Sequence, residues 1–185
     1  MRRYAPIFFA LLIFAAPSHA QVPTSGNVFF GYSYNNTSFS NLGRANLNGF
    51  EASLEGKVFP SVGIVADFTT TYGSQVFNTG AGTCAIGATC TGNMNVHVYQ
   101  ALFGPRFSAS LGKFRPFAEF EFGVAHVTTS APFSDSSFAT AIGGGLDYRI
   151  IRPIAWRFQG DYVSTHLFGA YQNGVRFSTG IVIRF

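Results

Sequence analysis

The feature that most constrains this chain is an alternation of period two. Phe50, Ala52, Leu54, Gly56 and Val58 interleave with Glu51, Ser53, Glu55 and Lys57. Val62, Ile64, Ala66, Phe68 and Tyr72 then interleave with Gly63, Val65, Asp67, Thr69 and Thr71. Similar runs cover 27–35, 95–107, 116–127, 138–149, 154–163 and 174–185. Side chains of an extended strand point to opposite faces in turn, so the pattern predicts eight strands and no helix after residue 20. The runs span about 9 to 13 residues, near the roughly 9–11 that a tilted strand needs to cross a bilayer. Globular strands are shorter, at about 5–6 residues.

The connections alternate too. Phe59-Pro60-Ser61, Ser108 to Phe114 and Ile150 to Pro153 are short, whereas 36–46, 73–94, 128–137 and 164–173 are longer and rich in Gly, Asn, Ser and Thr. Short turns at one end and long loops at the other are the plan of an up-and-down membrane barrel. With an even strand number, both termini fall at the short-turn, periplasmic end.

Sorting by face decides the class. One face carries Glu51, Glu55, Asp67, Glu119, Glu121, Asp147 and Asp161 with Lys57, Arg106, Arg149, Arg157, Arg176 and Arg184. Small residues share that face, among them Gly31, Ser33, Ser53, Gly63, Gly143, Ser178 and Gly180. The other face carries Phe30, Tyr32, Tyr99, Phe103, Phe120, Phe122, Ile142, Leu146, Trp156, Phe158, Tyr162, Phe177, Ile181 and Ile183. A soluble barrel holds its apolar side chains inside. Here charged residues are only 11% of the chain and aromatics 17%, too few charges to clothe a water-facing surface. A two-sheet sandwich with the charges in solvent would have to bury every aromatic and would leave its edges unpaired. The expected fold is therefore all-β, an eight-stranded antiparallel transmembrane barrel with charges in a polar, side-chain-filled lumen.

Residues 1–20 read as a cleaved signal peptide. Arg2-Arg3 precede the apolar run Ala5 to Ala16, and Ser18-His19-Ala20 supplies small residues for a cut before Gln21. The run is too short for a transmembrane helix, which takes about 20 apolar residues. The barrel domain is then 21–185. Without Arg2 and Arg3 the chain holds 10 basic and 8 acidic residues, too weak and scattered a balance for a nucleic-acid surface. The last strand, Val175 to Phe185, alternates and ends on an aromatic, which resembles the assembly signal of bacterial outer-membrane proteins.

Gly31-Tyr32-Ser33-Tyr34, Phe103-Gly104-Pro105-Arg106-Phe107-Ser108, Gly143-Gly144-Gly145-Leu146-Asp147-Tyr148-Arg149 and Asp161-Tyr162 carry a resemblance over residues 26–185. Together they resemble the outer-membrane β-barrel domain family, which includes the transmembrane domain of outer membrane protein A and the opacity-type proteins. The resemblance implies a bacterial outer-membrane location. Its implied partners are outer-membrane lipid and lipopolysaccharide, the outer-membrane assembly machinery, and an extracellular ligand reached through the long loops. Members are structural proteins, adhesins or narrow channels, so the fold does not choose among functions.

Chemical motifs are sparse. His126-Val127-Thr128 resembles the His-x-Ser of outer-membrane lipid A deacylases, but Thr128 stands in the serine position and no acid is expected beside it on that face. His97 and His166 lack metal-ligand spacing. The triplet Gly143 to Gly145 sits in mid-strand, unlike a phosphate loop. Asn36-Thr37-Ser38 fits a glycosylation sequon, of little weight in a bacterial exported chain. Cys84 and Cys90, in the longest loop, read as a disulfide in an oxidising export route. A metal would need further ligands, and that loop holds no His, Asp or Glu. The chain is thus expected to be no enzyme and to need no cofactor or metal. A structural or surface-interaction scaffold is expected, with a narrow pore for ions or small solutes as the alternative and a lipid A-modifying enzyme as a remote one.

Overall fold

The computed structural model describes residues 25–39, 43–79, 90–130, 134–167 and 171–185. The leader at 1–20 and Cys84 lie outside these residues, and of Cys90 only the backbone is described. Eight strands follow one another: β1 (Gly26–Phe39), β2 (Gly43–Phe59), β3 (Val62–Thr79), β4 (Cys90–Ser108), β5 (Phe114–Thr129), β6 (Ser134–Arg149), β7 (Ile154–Thr165) and β8 (Gln172–Arg184). Each pairs antiparallel with its sequence neighbour, and β1 pairs with β8 to close a barrel. At the seam Gly26 N donates to Phe185 O at 2.9 Å and Phe185 N donates to Gly26 O at 3.1 Å.

The register sets the shape. Val28 pairs with Leu54, and the chain of partners runs on through Ala66, Phe103, Phe122, Thr140, Ser164 and Asn173 to Ser38, ten residues along β1 from its start. A shear of ten over eight strands tilts them by about 40° and leaves an interior that side chains can fill.

The strands outrun the hydrophobic alternation. They are 12 to 19 residues long, and much of 36–46 and 73–94, expected as loop, continues the β1–β2 and β3–β4 ladders. Beyond the apolar belt both faces are polar, so the alternation fades, while the backbone ladder needs no apolar residue to continue. Cross-strand side chains support the β1–β2 extension: Tyr34 OH donates to Asn46 Oδ1 at 2.9 Å, and Asn36 Nδ2 donates to the same oxygen.

The outer wall is apolar. Phe30, Ile142 and Phe158 expose 62, 59 and 59% of their surface, values that belong inside a water-soluble protein. No Asp, Glu, Lys or Arg takes an outward position among the described strand residues between the girdles. Phe59, Phe107, Phe114 and Tyr148 ring the turn end, and Tyr32, Tyr72, Tyr99 and Tyr162 stand toward the loop end. Aromatics at both edges of an apolar band mark the two interfaces of a bilayer. Trp156 faces out within the belt, and its Nε1 donates to Thr179 Oγ1 at 2.8 Å.

Closure makes one glycine pair indispensable. Gly31 and Gly180 are register partners, and a methyl group on Gly180 would lie 2.3 Å from Gly31 Cα. Gly112, in the β4–β5 turn, has φ +65° and open space around it. Gly180→Val is expected to lower the unfolding free energy in detergent by about 2–3 kcal/mol, and Gly112→Asn by less than about 1 kcal/mol. Urea unfolding followed by tryptophan fluorescence measures both.

Candidate functional site

The inward face holds the only dense chemistry among the described residues. Arg176, on β8, is buried at the centre. Its Nε donates to Asp161 Oδ2 on β7 at 3.0 Å, and Nη1 donates to Asp67 Oδ1 and Thr69 Oγ1 on β3 at 3.0 and 2.7 Å. Glu51 of β2 lies 3.5 Å from Nε, and Glu121 of β5 lies 3.7 Å from Nη2. One guanidinium thus ties five strands together. Gln159 Nε2 donates to Glu51 Oε1 at 3.1 Å and to Asp161 Oδ2 at 3.0 Å, and Ser178 Oγ donates to Glu51.

A second layer lies nearer the turns. Arg106 Nε donates to Glu119 Oε2 at 2.6 Å and Nη1 to Glu55 Oε2 at 3.3 Å. Arg157 grips Asp147 with two bonds, Nε to Oδ1 at 2.7 Å and Nη2 to Oδ2 at 3.2 Å, the fork geometry that makes arginine suited to a carboxylate. The Phe117 ring lies between these two cations, 4.6 Å from each guanidinium carbon, and Phe29 stacks on Arg157 at 5.0 Å. Aromatic faces attract the desolvated cations where water cannot. Lys57 Nζ meets Glu55 Oε1 at 2.7 Å, and Arg184 Nη2 meets Asp147 Oδ2 at 3.2 Å.

Twelve of the thirteen charges expected in the lumen are therefore joined in ion pairs. Arg149 is the exception. It stands at the turn-end rim and has no ion pair among the described residues. Arg115 is an addition: its Nη2 lies 3.6 Å from Glu55 Oε1 and donates to Ser108 Oγ at 2.9 Å. Arg115 shares the parity of Phe117 and Glu119, a signal hidden because alternation is plain only from Pro116 onward.

The lumen is not polar throughout. At the loop end Ala45, Leu47, Val96, Val98, Val127 and Leu167 form a buried apolar cluster that caps the charged layers. Beneath it Gln100 lines a cavity of about 10 Å³ with Asn35, Thr37, Thr165 and Gln172, room for about one water. The expected polar filling gives way there to apolar side chains.

On the outer wall, His126 has a partner that sequence spacing did not show. Its Nδ1 lies 2.7 Å from Ser136 Oγ on β6, and Thr128 Oγ1 lies 3.2 Å from its Nε2. A hydroxyl and an imidazole are in contact, yet the other ring nitrogen faces a neutral threonine where a triad places a carboxylate to stabilise the imidazolium. His97 stacks on Tyr72 at 6.3 Å and His166 meets Tyr171 edge-on at 4.6 Å. Among the described residues no His, Cys, Asp and Glu group could hold a metal.

No known family model and no curated relative matches the sequence. Solved structures that resemble the fold include two surface proteins of bacteria. Neisserial surface protein A aligns with TM-score 0.67 and 11% identity, over 86% of this chain and 97% of that one. Ail, the attachment invasion locus protein of Yersinia pestis, aligns in its complex with the heparin analogue sucrose octasulfate with TM-score 0.58 and 15% identity, over 87% of this chain and 98% of Ail. The fold is that of the eight-stranded outer-membrane β-barrels. At such identities the likeness is one of architecture, and the charge network stands on this chain's own residues.

Removing the central cation would leave four buried carboxylates facing one another without a counter-charge. Arg176→Met is expected to cost about 3–5 kcal/mol of unfolding free energy, as breaking a buried pair does. Arg149→Met is expected to stay within about 0.5 kcal/mol of wild type. Chemical denaturation of the refolded variants in one detergent distinguishes the two.

Proposed function

We propose that the protein is an integral outer-membrane barrel serving as a closed scaffold that presents its loop end for surface interaction. The observation that carries this is the burial of the lumen arginines: Arg106, Arg157 and Arg176 each expose 0% of their surface. A water-filled channel would wet them. The charged layers and the apolar cap are two stacked closures that leave no continuous water path, so the interior stabilises the barrel and the loop end carries the interaction.

The apolar wall with its two girdles supports the membrane placement, and the architecture shared with Ail and Neisserial surface protein A supports the outer membrane. Export through the leader 1–20, cut before Gln21, and recognition of Phe185 by the assembly machinery belong to the same reading. The Ail complex holds a polyanion. Near the loop end of this chain the described residues place Arg44 and Asp135 beside many Tyr, Asn and His side chains, which favours an uncharged polar partner over a polyanion.

The scaffold reading predicts negligible steady conductance from refolded protein in planar bilayers. Large, steady wild-type conductance would overturn it in favour of a pore. Deleting Phe185 is expected to slow arrival in the outer membrane without changing synthesis or export. Phe185→Ala, which keeps the backbone pair with Gly26, should do the same if the ring is the signal; pulse-chase fractionation measures both.

A further inference from the structure

We infer that the turn-end rim between the β6–β7 turn and the end of β8 is a binding site for the phosphodiester headgroup of an anionic glycerophospholipid, in the leaflet that meets the turns. This rests on the membrane-barrel reading above. Charge is divided unevenly along the barrel. Glu51, Asp67, Glu121 and Asp161 gather around Arg176, whereas the turn half holds most of the cations and only Glu55, Glu119 and Asp147 as acids. Those three acids are taken: Glu55 by Lys57, Arg106 and Arg115, Glu119 by Arg106, and Asp147 by Arg157 and Arg184. Lys113, Arg149 and Arg152 have no carboxylate partner among the described residues.

The surplus is focused by the fold. Arg149, Arg152, Pro153, Arg184 and Phe185 line an open cavity of about 270 Å³. Arg149 N donates to Lys113 O at 2.9 Å, and Arg184 N donates to Pro153 O at 3.0 Å, so two turns and a strand end are fixed around it. Arg184 is already held by Asp147, but Arg149 and Arg152 bring two guanidiniums without a carboxylate partner among the described residues to this cavity. A pair of guanidiniums suits the tetrahedral oxygens of a phosphate, which accept paired N–H bonds. The adjoining outer wall is apolar: Ile150, Ile151, Ile183 and Phe185 are all more than half exposed. A cationic cavity bordered by apolar wall fits an amphiphile, with its phosphate on the arginines and its acyl chains along the isoleucines, better than a free anion. Basic residues near an anionic membrane surface each add about a factor of five in affinity.

The test uses barrel refolded in detergent, with folding checked by the different mobility of unboiled and boiled protein in SDS gels. Native mass spectrometry then follows adducts with phosphatidylglycerol, with phosphatidylcholine and with inorganic phosphate. Wild type should retain phosphatidylglycerol over phosphatidylcholine, and millimolar inorganic phosphate should not displace it. The double variant R149Q/R152Q should lose about tenfold or more of that retention, and R44Q at the far end none. Equal retention of both lipids by wild type, or undiminished retention by the double variant, would overturn the site. Displacement by inorganic phosphate would overturn its assignment to lipid. A chain that never gains the altered mobility would overturn the membrane-barrel reading and this site with it.

Discussion

A hydrocarbon layer offers no partner to an unpaired peptide group, and the rest of this structure follows from that constraint. Eight strands satisfy it only if β8 returns to β1, and they close with an offset of ten residues. The offset fixes the bore. An interior this narrow has to be filled by its own side chains, so every inward residue is chosen against the neighbours it meets across the lumen. Glycines at Gly31 and Gly180 let two strands meet where side chains would collide, and arginines reach across the lumen to the strands opposite.

Charge in that interior is stabilised by pairing and by aromatic faces, and the arginines at its centre expose none of their surface. Arg176 joins β8 to β2, β3, β5 and β7, while Arg106 and Arg157 share Phe117 between them. Removing any one partner leaves others in the same layer uncompensated, so each layer acts as a structural unit. Above them lies the apolar cluster around Leu47 and Val98, and below them Arg149 and Arg152, without a carboxylate partner among the described residues, collect at the turns. The barrel is therefore polarised along its axis, apolar inside one mouth and basic at the other.

Much of this was legible in the sequence, for a physical reason. Period-two alternation is local, so parity placed Glu51, Asp67, Arg106 and Arg176 inside and Phe30, Phe158 and Ile181 outside without knowledge of pairing. Partners were not legible. The contact of Arg176 with Asp67 spans 109 residues and depends on shear, which no local pattern records. The same holds for Ser136 against His126, brought together by the β5–β6 register. Strand ends at the loops were missed because alternation needs lipid on one face, and these segments leave the lipid. Leu47 shares the inward parity of Glu51 and Val98 that of Gln100 and Arg106, but the lumen is sorted by charge and alternation on β2 is plain only from Asn48 onward, so the apolar cap carries no mark in the sequence.

The most direct test of a dry, side-chain-closed lumen is the exchange of arginine side-chain protons with water. Nuclear magnetic resonance of refolded protein in detergent can resolve the Nε–H of Arg106, Arg157 and Arg176 beside that of Arg152 at the exposed turn. A closed lumen predicts three slowly exchanging signals, with the Arg176 protons close to those of Thr69, while Arg152 exchanges freely. Exchange of Arg176 as fast as that of Arg152 would mean that water reaches the centre of the barrel, and would contradict the closed scaffold.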